Sequence, residues 1–308
     1  MKLSLAPLAY YWSRAATLQF YADAMEWPVD TIYLGEVVCS RRHQLRLADW
    51  LSLASSCRDA GKEVVLSSLT LIDNEGDRRQ LNKLIEAAQA GQFLIEANDF
   101  SAVRLAHSLG LPFVAGPHLN VYHEDTLTWL HSLGARRFMP PVELNHDDLN
   151  HLQSQRPAGI ETEVQVWGRM ALAHSSRCFT ARRHRLSKDA CEFRCEHYPD
   201  GLALATREDQ DFLTINGIQT QSANCLDLGA QVPELARMGI DVLRLQIQSQ
   251  GMEQIVRSFD QARREISAAN IDQACLPPNA EKSNGYWSGK PGMRWESIAI
   301  TPISSSQI

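Results

Sequence analysis

Ala60-Gly61-Lys62-Glu63-Val64-Val65-Leu66 joins the end of an amphipathic run to a short apolar one. The same join recurs at Ala90-Gly91 before Phe93-Leu94-Ile95, at Leu109-Gly110 before Phe113-Val114-Ala115, at Leu133-Gly134 before Phe138-Met139, and at Met238-Gly239 before Val242-Leu243. A glycine at the end of a helix supplies a left-handed cap. An apolar run without alternation fits a strand buried on both faces. Helix and strand therefore alternate through short turns, which is the pattern of a parallel α/β fold.

Extending this reading predicts eight strands, near 3–8, 31–36, 63–71, 93–98, 112–117, 136–142, 162–168 and 240–247. Helices are expected near 14–25, 43–60, 77–90, 99–109, 125–133, 146–154, 231–238 and 251–269. In the 77–90 helix, Leu81, Leu84, Ile85 and Ala88 recur at three- and four-residue steps, with Arg78, Arg79, Lys83 and Glu86 on the other side. Eight strand–helix units in about 250 residues suggest a (β/α)8 TIM-like barrel. A doubly wound open sheet is the alternative, and it is weakened by the lack of a Gly-x-Gly-x-x-Gly turn after the first strand.

The whole chain, 1–308, reads as a single barrel-type domain. Residues 169–238 form an insertion between the seventh and eighth strands, with a hairpin signal at Phe212–Thr220 turning on Asn216-Gly217. Residues 270–308 form an irregular C-terminal tail. Asn284 to Gly292 are expected to pack an aromatic pair, and 300–308 to be mobile.

The insertion holds the segment Cys178 to Cys195, with three of the seven cysteines spaced Cys-x12-Cys-x3-Cys. Arg177, Arg182, Arg183, Arg185, Lys188 and Arg194 surround them. Thiolates are soft ligands for zinc or an iron–sulfur cluster, and nearby cations favour the thiolate. Three reduced cysteines on a basic loop is the plainer reading. The spacing is neither a zinc-finger nor a bacterial ferredoxin pattern, so the residues alone leave the metal open. A fourth ligand is open between Cys39, beside Arg41 and Arg42, and Cys225, near the start of the helix before strand eight. Cys57 reads as core and Cys275 as tail.

An odd cysteine count excludes a complete disulfide framework and suits a reducing, cytoplasmic setting. The net charge of −6 argues against nucleic acid as a partner. No apolar run is long enough to span a membrane. Pro7 and the Tyr10-Tyr11-Trp12 end argue against a signal peptide at the N-terminus. His-Glu-x-x-His, Gly-x-Ser-x-Gly and Walker-type patterns are absent from the sequence.

Barrel active sites gather at the C-terminal ends of the strands. Those ends supply Glu36, Glu96, His118, Asn120 and Glu143 as catalytic candidates. Glu36, Glu96 and Glu143 follow alternate strands and are expected to converge, unless each only caps a helix. On strand eight, Arg244, Gln246 and Gln248 alternate with Leu243, Leu245 and Ile247. Arg244 should therefore face the lumen, where it needs an anion or a buried carboxylate.

The blocks Tyr33-Leu-Gly-Glu36-Val-Val-Cys39-Ser, Phe113-Val-Ala-Gly116, Ser176-Arg-Cys178-Phe-Thr-Ala-Arg182, Cys191-Glu-x-x-Cys195 and Asn216-Gly-Ile-Gln-Thr220 resemble the collagenase-like peptidase family of unassigned mechanism. The resemblance runs from residue 1 to about 292 and is to the UbiU–UbiV branch. It implies a [4Fe–4S] cluster on Cys39, Cys178, Cys191 and Cys195, and a heterodimer with a UbiU-like subunit. The implied role is oxygen-independent, prephenate-linked hydroxylation of ubiquinone precursors. Arg41, Arg42, Arg177, Arg182 and Arg244 are then candidate substrate-binding residues for a dicarboxylate. A lipid-carrier protein would present the precursor. Strand eight reads Arg244-x-Gln246 where peptidase-type members tend to read Lys-x-Glu, so peptidase activity is not expected. The rival expectations are a non-catalytic metal-binding scaffold for the partner, and a peptidase or RNA-modifying enzyme like other relatives.

Overall fold

The computed structural model describes residues 1–297, so the expectation for 300–308 lies outside the described residues. Eight parallel strands close on themselves: β1 (Lys2–Leu5), β2 (Thr31–Leu34), β3 (Glu63–Ser67), β4 (Leu94–Ala97), β5 (Phe113–Ala115), β6 (Ala135–Phe138), β7 (Glu161–His174) and, after the insertion, β11 (Val242–Leu245). β11 pairs with both β7 and β1, which completes a (β/α)8 TIM barrel. Helices α1 (Arg14–Met25), α2 (Leu47–Asp59), α3 (Glu75–Gly91), α4 (Phe100–Ser108), α5 (Glu124–Ser132) and α6 (His146–Ser154) follow β1 to β6, and α9 (Met252–Glu265) follows β11.

The glycine joins hold with one change. Gly61, Gly110, Gly134 and Gly239 all have positive φ, as a left-handed cap requires. Gly91 does not. It is the last helical residue, and Gln92 takes the left-handed position at φ 55°. Gly91 is needed for space instead, since a Cβ there would come within 2.5 Å of the Phe93 ring. In α3, Leu81, Ile85 and Ala88 are buried as the periodicity predicts, while Leu84 is only half-buried.

The insertion is built on the barrel wall. β7 is twice the expected length, because it continues past the rim to His174 and becomes the first strand of an antiparallel sheet. The changeover is at Gly168, with φ 101° and a Cβ position 2.5 Å from Gln246 Cβ, beside a register shift between β7 and β11. α7 (Phe179–Arg183), β8 (Leu202–Ala205), β9 (Asp211–Asn216), β10 (Gln219–Asp227) and α8 (Val232–Arg237) complete it. The hairpin forms one residue later than Asn216-Gly217 suggested. Asn216 pairs with Gln219, so Gly217-Ile218 make the turn.

Cys225 is not near a helix start. It lies in β10, fully buried, opposite Arg169 of β7 and Lys282 of β12 (Lys282–Ser283). In the tail, Trp287 is buried in the main core, and its carbonyl accepts from the His146 N–H at 3.0 Å.

Candidate functional site

Two neighbouring regions carry the candidate residues, one at the barrel mouth and one above it. The mouth is a cavity of about 100 Å3 at the C-terminal strand ends. Glu96, His118, Asn120, Glu143 and Arg244 all line it, as predicted for strand ends. Arg244 is buried. Its guanidinium reaches Glu96 Oε1 at 2.8 Å and Glu163 Oε1 at 3.4 Å and stacks 4.3 Å over the Tyr33 ring. Its anionic partners are therefore carboxylates of the barrel itself. Glu163 also accepts from Ser4 Oγ at 2.6 Å and from the Tyr33 hydroxyl. Below it, Arg137 bridges Glu161 at 2.6 Å and Glu63 at 2.8 Å. This stack of charges occupies the lumen from β3, β4, β6, β7 and β11.

His118 packs edge-on against His174, with ring centroids 4.7 Å apart. Burial pushes His118 down to about 4, assisted by Arg244, and His174 down to about 3, assisted by His118. Both imidazoles are thus neutral near pH 7. Glu143 is exposed and accepts from the Tyr122 hydroxyl, which raises that phenol to about 12. Sequence reasoning did not single out Arg169, Gln165, Gln219 and Gln221, which also line the mouth. The period-two alternation of Gln219 and Gln221 along β10 was the available signal. Arg169 donates to the Ala223 carbonyl at 3.1 Å and the Asp200 carbonyl at 2.6 Å, which fixes the extension over the mouth. The mouth can hydrogen-bond a small polar molecule through its amides.

Glu36 does not join the other two carboxylates. Its Oε1 accepts from the N–H groups of Val38 at 2.9 Å and Cys39 at 3.0 Å and lies 3.6 Å from Arg42. The short loop after β2 turns it away from the lumen, and burial raises its pKa. Four of the five candidate substrate arginines also lie off the mouth lining. Arg42 is buried and donates to the Ala9 carbonyl and to Asn216 Oδ1, each at 2.6 Å. Arg41 pairs with Asp189 at 3.0 Å. The Arg182 side chain, on α7, and that of Arg177 are exposed.

The second region is the cysteine crown. Cys39 and Cys178 pack beside Ala9, Val37, Val38 and Ile218. Cys178 caps α7, and its Sγ accepts from the Ala181 N–H at 3.4 Å. Burial raises the Cys195 thiol and the nearby Arg42 opposes that rise, while Cys178 lies close enough to act on both Cys195 and Cys39. Arg41 with Asp189, and Gln44 Nε2 with Glu196 at 3.2 Å, clamp the β2 loop to the Cys191–Cys195 turn. Glu192 and Phe193, inside that turn, both adopt left-handed φ. The expectation that arginines favour the thiolate is not met at Cys39. Burial pushes it up to about 11 despite Arg42, which is shared with Glu36. Among the described residues, no three His, Cys, Asp or Glu side chains converge tightly enough to hold a metal ion. As a donor set the four still suit a cluster. All are free thiols, all are partly open, and Cys178 lies within electrostatic reach of both Cys39 and Cys195.

The family model for peptidase family U32 matches residues 16–294. The chain belongs to peptidase family U32. Among solved structures it is similar to the U32 peptidase Mk0906, at 12% identity and a TM-score of 0.46, over 80% of this chain and 93% of that one. It is also similar to a tryptophan synthase complex from Pyrococcus furiosus, at 13% identity and a TM-score of 0.44, over 86% and 91% of the two chains. Among the described residues of this U32 member, no helix is long and apolar enough to cross a membrane.

Proposed function

We propose that this U32 member is a UbiV-type subunit. In this reading it holds a [4Fe–4S] cluster on Cys39, Cys178, Cys191 and Cys195 and works in the cytoplasm with a UbiU-like partner in oxygen-independent, prephenate-linked hydroxylation of ubiquinone precursors. The observation that carries the reading is the meeting of two distant segments. The β2 loop brings Cys39 onto the same small apolar cluster as Cys178, and Arg42 of that loop lies near both Cys39 and Cys195. A bound cluster would supply one-electron transfer or an iron site for an oxygen-bearing ligand. The chain's own residues supply the frame. Arg42 and Glu36 brace the β2 loop, and the Arg41–Asp189 pair holds the Cys191–Cys195 turn to it.

Arg177 and Arg182 are the arginines left open to a dicarboxylate, because Arg41 and Arg42 are held by protein partners. At the mouth, Arg244 meets Glu96 and Glu163, so a dicarboxylate bound there would have to compete with them. Peptidase activity is no part of this reading. A lipid carrier or the partner presents the precursor.

The test is anaerobic purification of the chain alone and with a UbiU-like subunit. Brown protein with about four irons and four sulfides per chain is expected in both, with hydroxylation only in the pair. A colourless protein containing zinc contradicts the cluster, and turnover by the isolated chain contradicts the need for a partner.

A further inference from the structure

Residues 177–188 hold five Lys or Arg side chains and no acid, on a chain whose net charge is −6. Lys188 is taken by Asp73 at 3.2 Å. The other four, Arg177, Arg182, Arg183 and Arg185, are exposed, and among the described residues none of their guanidinium groups has an ion-pair or hydrogen-bond partner. The acids of the adjoining turn are engaged elsewhere, Asp189 by Arg41 at 3.0 Å and Glu192 by Arg194 at 2.6 Å. Helix α7 turns these charges outward. Thr180 and Ala181 are its buried side, while Phe179, Arg182 and Arg183, three and four residues apart, share the exposed side. Cys178, the cap of α7, sits between Arg177 and Phe179. None of the four arginines lines the mouth cavity, so the face is offered to a large partner rather than to a molecule held in the lumen.

We infer that this face docks a small acidic one-electron carrier protein of the ferredoxin class beside Cys178. The inference rests on the cluster reading above, since a cluster takes up electrons singly and the arginine face flanks one of its ligands. Charge favours this occupant. An acidic protein of limited footprint meets only the arginines, whereas a polyanion spread over the chain, such as nucleic acid or an anionic membrane, also meets its net negative charge. Phe179 supplies an aromatic contact within the basic ring. In the transfer the reduced carrier loses one electron and the oxidised cluster gains it. No bond is made or broken.

The test uses the anaerobically loaded chain and an acidic plant-type [2Fe–2S] ferredoxin. Isothermal titration reads docking, and loss of the visible absorbance of the cluster after mixing with pre-reduced ferredoxin reads transfer. Arg182→Gln with Arg183→Gln and Arg185→Gln spares the buried side of α7 and should weaken binding and slow transfer at least about tenfold. Affinity of the unaltered chain should fall steeply between about 50 and 200 mM salt, and that of the triple variant much less. Methyl viologen radical, a small cation, should reduce both proteins at similar rates, which reports an intact cluster in the variant. Ferredoxin binding and transfer unchanged in the triple variant, or no binding by the unaltered chain while methyl viologen reduces it, overturns the docking face alone. A colourless protein that methyl viologen cannot reduce overturns the cluster reading and this inference with it. Transfer RNA or phosphatidylglycerol vesicles that lose affinity for the triple variant while ferredoxin does not would give the face to another polyanion, and overturn the inference as well.

Discussion

Cys57, Cys225 and Cys275 are buried, whereas Cys39, Cys178, Cys191 and Cys195 are each partly open. The buried set sits on a helix face, in an extension strand and at the base of the tail, packed in the main core. Burial pushes Cys57 up to about 11 and Cys225 up to about 12. The open set sits on loops and turns, with Cys39 and Cys178 against a small apolar cluster and the Cys191–Cys195 turn held by side-chain pairs. Cysteine thus stands in two settings in one chain, as a packed small hydrophobe and as a partly open thiol. A second contrast runs alongside. The lumen charges are closed into a buried network, while the crown charges work as exposed clamps.

The network should respond most strongly. Arg244→Met leaves Glu96 buried without its cation and Glu163 with Arg137 alone, at 3.7 Å, and a loss of about 3–5 kcal/mol in urea unfolding is expected. A loss below about 1 kcal/mol would mean that the lumen charges are not a closed set. Next comes the core cysteine set. Cys225→Ser puts a hydroxyl where a thiol packs in the core, and should cost about 1–3 kcal/mol while iron content per folded chain stays unchanged. Cys191→Ser should do the reverse, with little change in stability but loss of iron. Iron loss in folded Cys225→Ser would erase the division between the sets.

The barrel was legible because its signal is repeated. Five glycine joins and period-matched apolar faces all asked for the same alternation, so one mistaken cap, at Gly91, did not disturb it. Strand eight was legible too, since alternation put Arg244 in the lumen. Long-range pairing was harder to read. Nothing around Glu36 shows that its carboxylate would fold back onto the Val38 and Cys39 N–H groups. Likewise, nothing in 169–174 separates a lengthened β7 from a loop, and Cys225 was misplaced because β10 pairs with that extension. Arg41 and Arg42 looked like ligand groups because their protein partners, Asp189 and Asn216, are 148 and 174 residues away.

The mouth histidines give a smaller, pH-dependent effect. His118 and His174 resist protonation down to about 4 and 3, against an ordinary 6.5. The unfolded chain therefore takes up these protons first as pH falls. Their contribution to stability is complete above about pH 6.5 and is lost progressively towards pH 4. His118→Gln with His174→Gln should flatten the melting temperature over that window. An unaltered slope would place the imidazoles in solvent. The crown clamp should matter least to stability. Asp189→Ala removes an exposed partner of Arg41 and should cost under about 1 kcal/mol, while speeding amide exchange in 188–196.

The central claim is that the open cysteines, Cys39 among them, hold the cluster. The most direct measurement is iron, acid-labile sulfide and visible absorbance in anaerobic preparations of Cys39→Ala and Cys225→Ala, each checked for folding by circular dichroism. The account predicts that Cys39→Ala loses the four-iron cluster while keeping the barrel, and that folded Cys225→Ala retains it. A full cluster in Cys39→Ala together with an empty Cys225→Ala would contradict it.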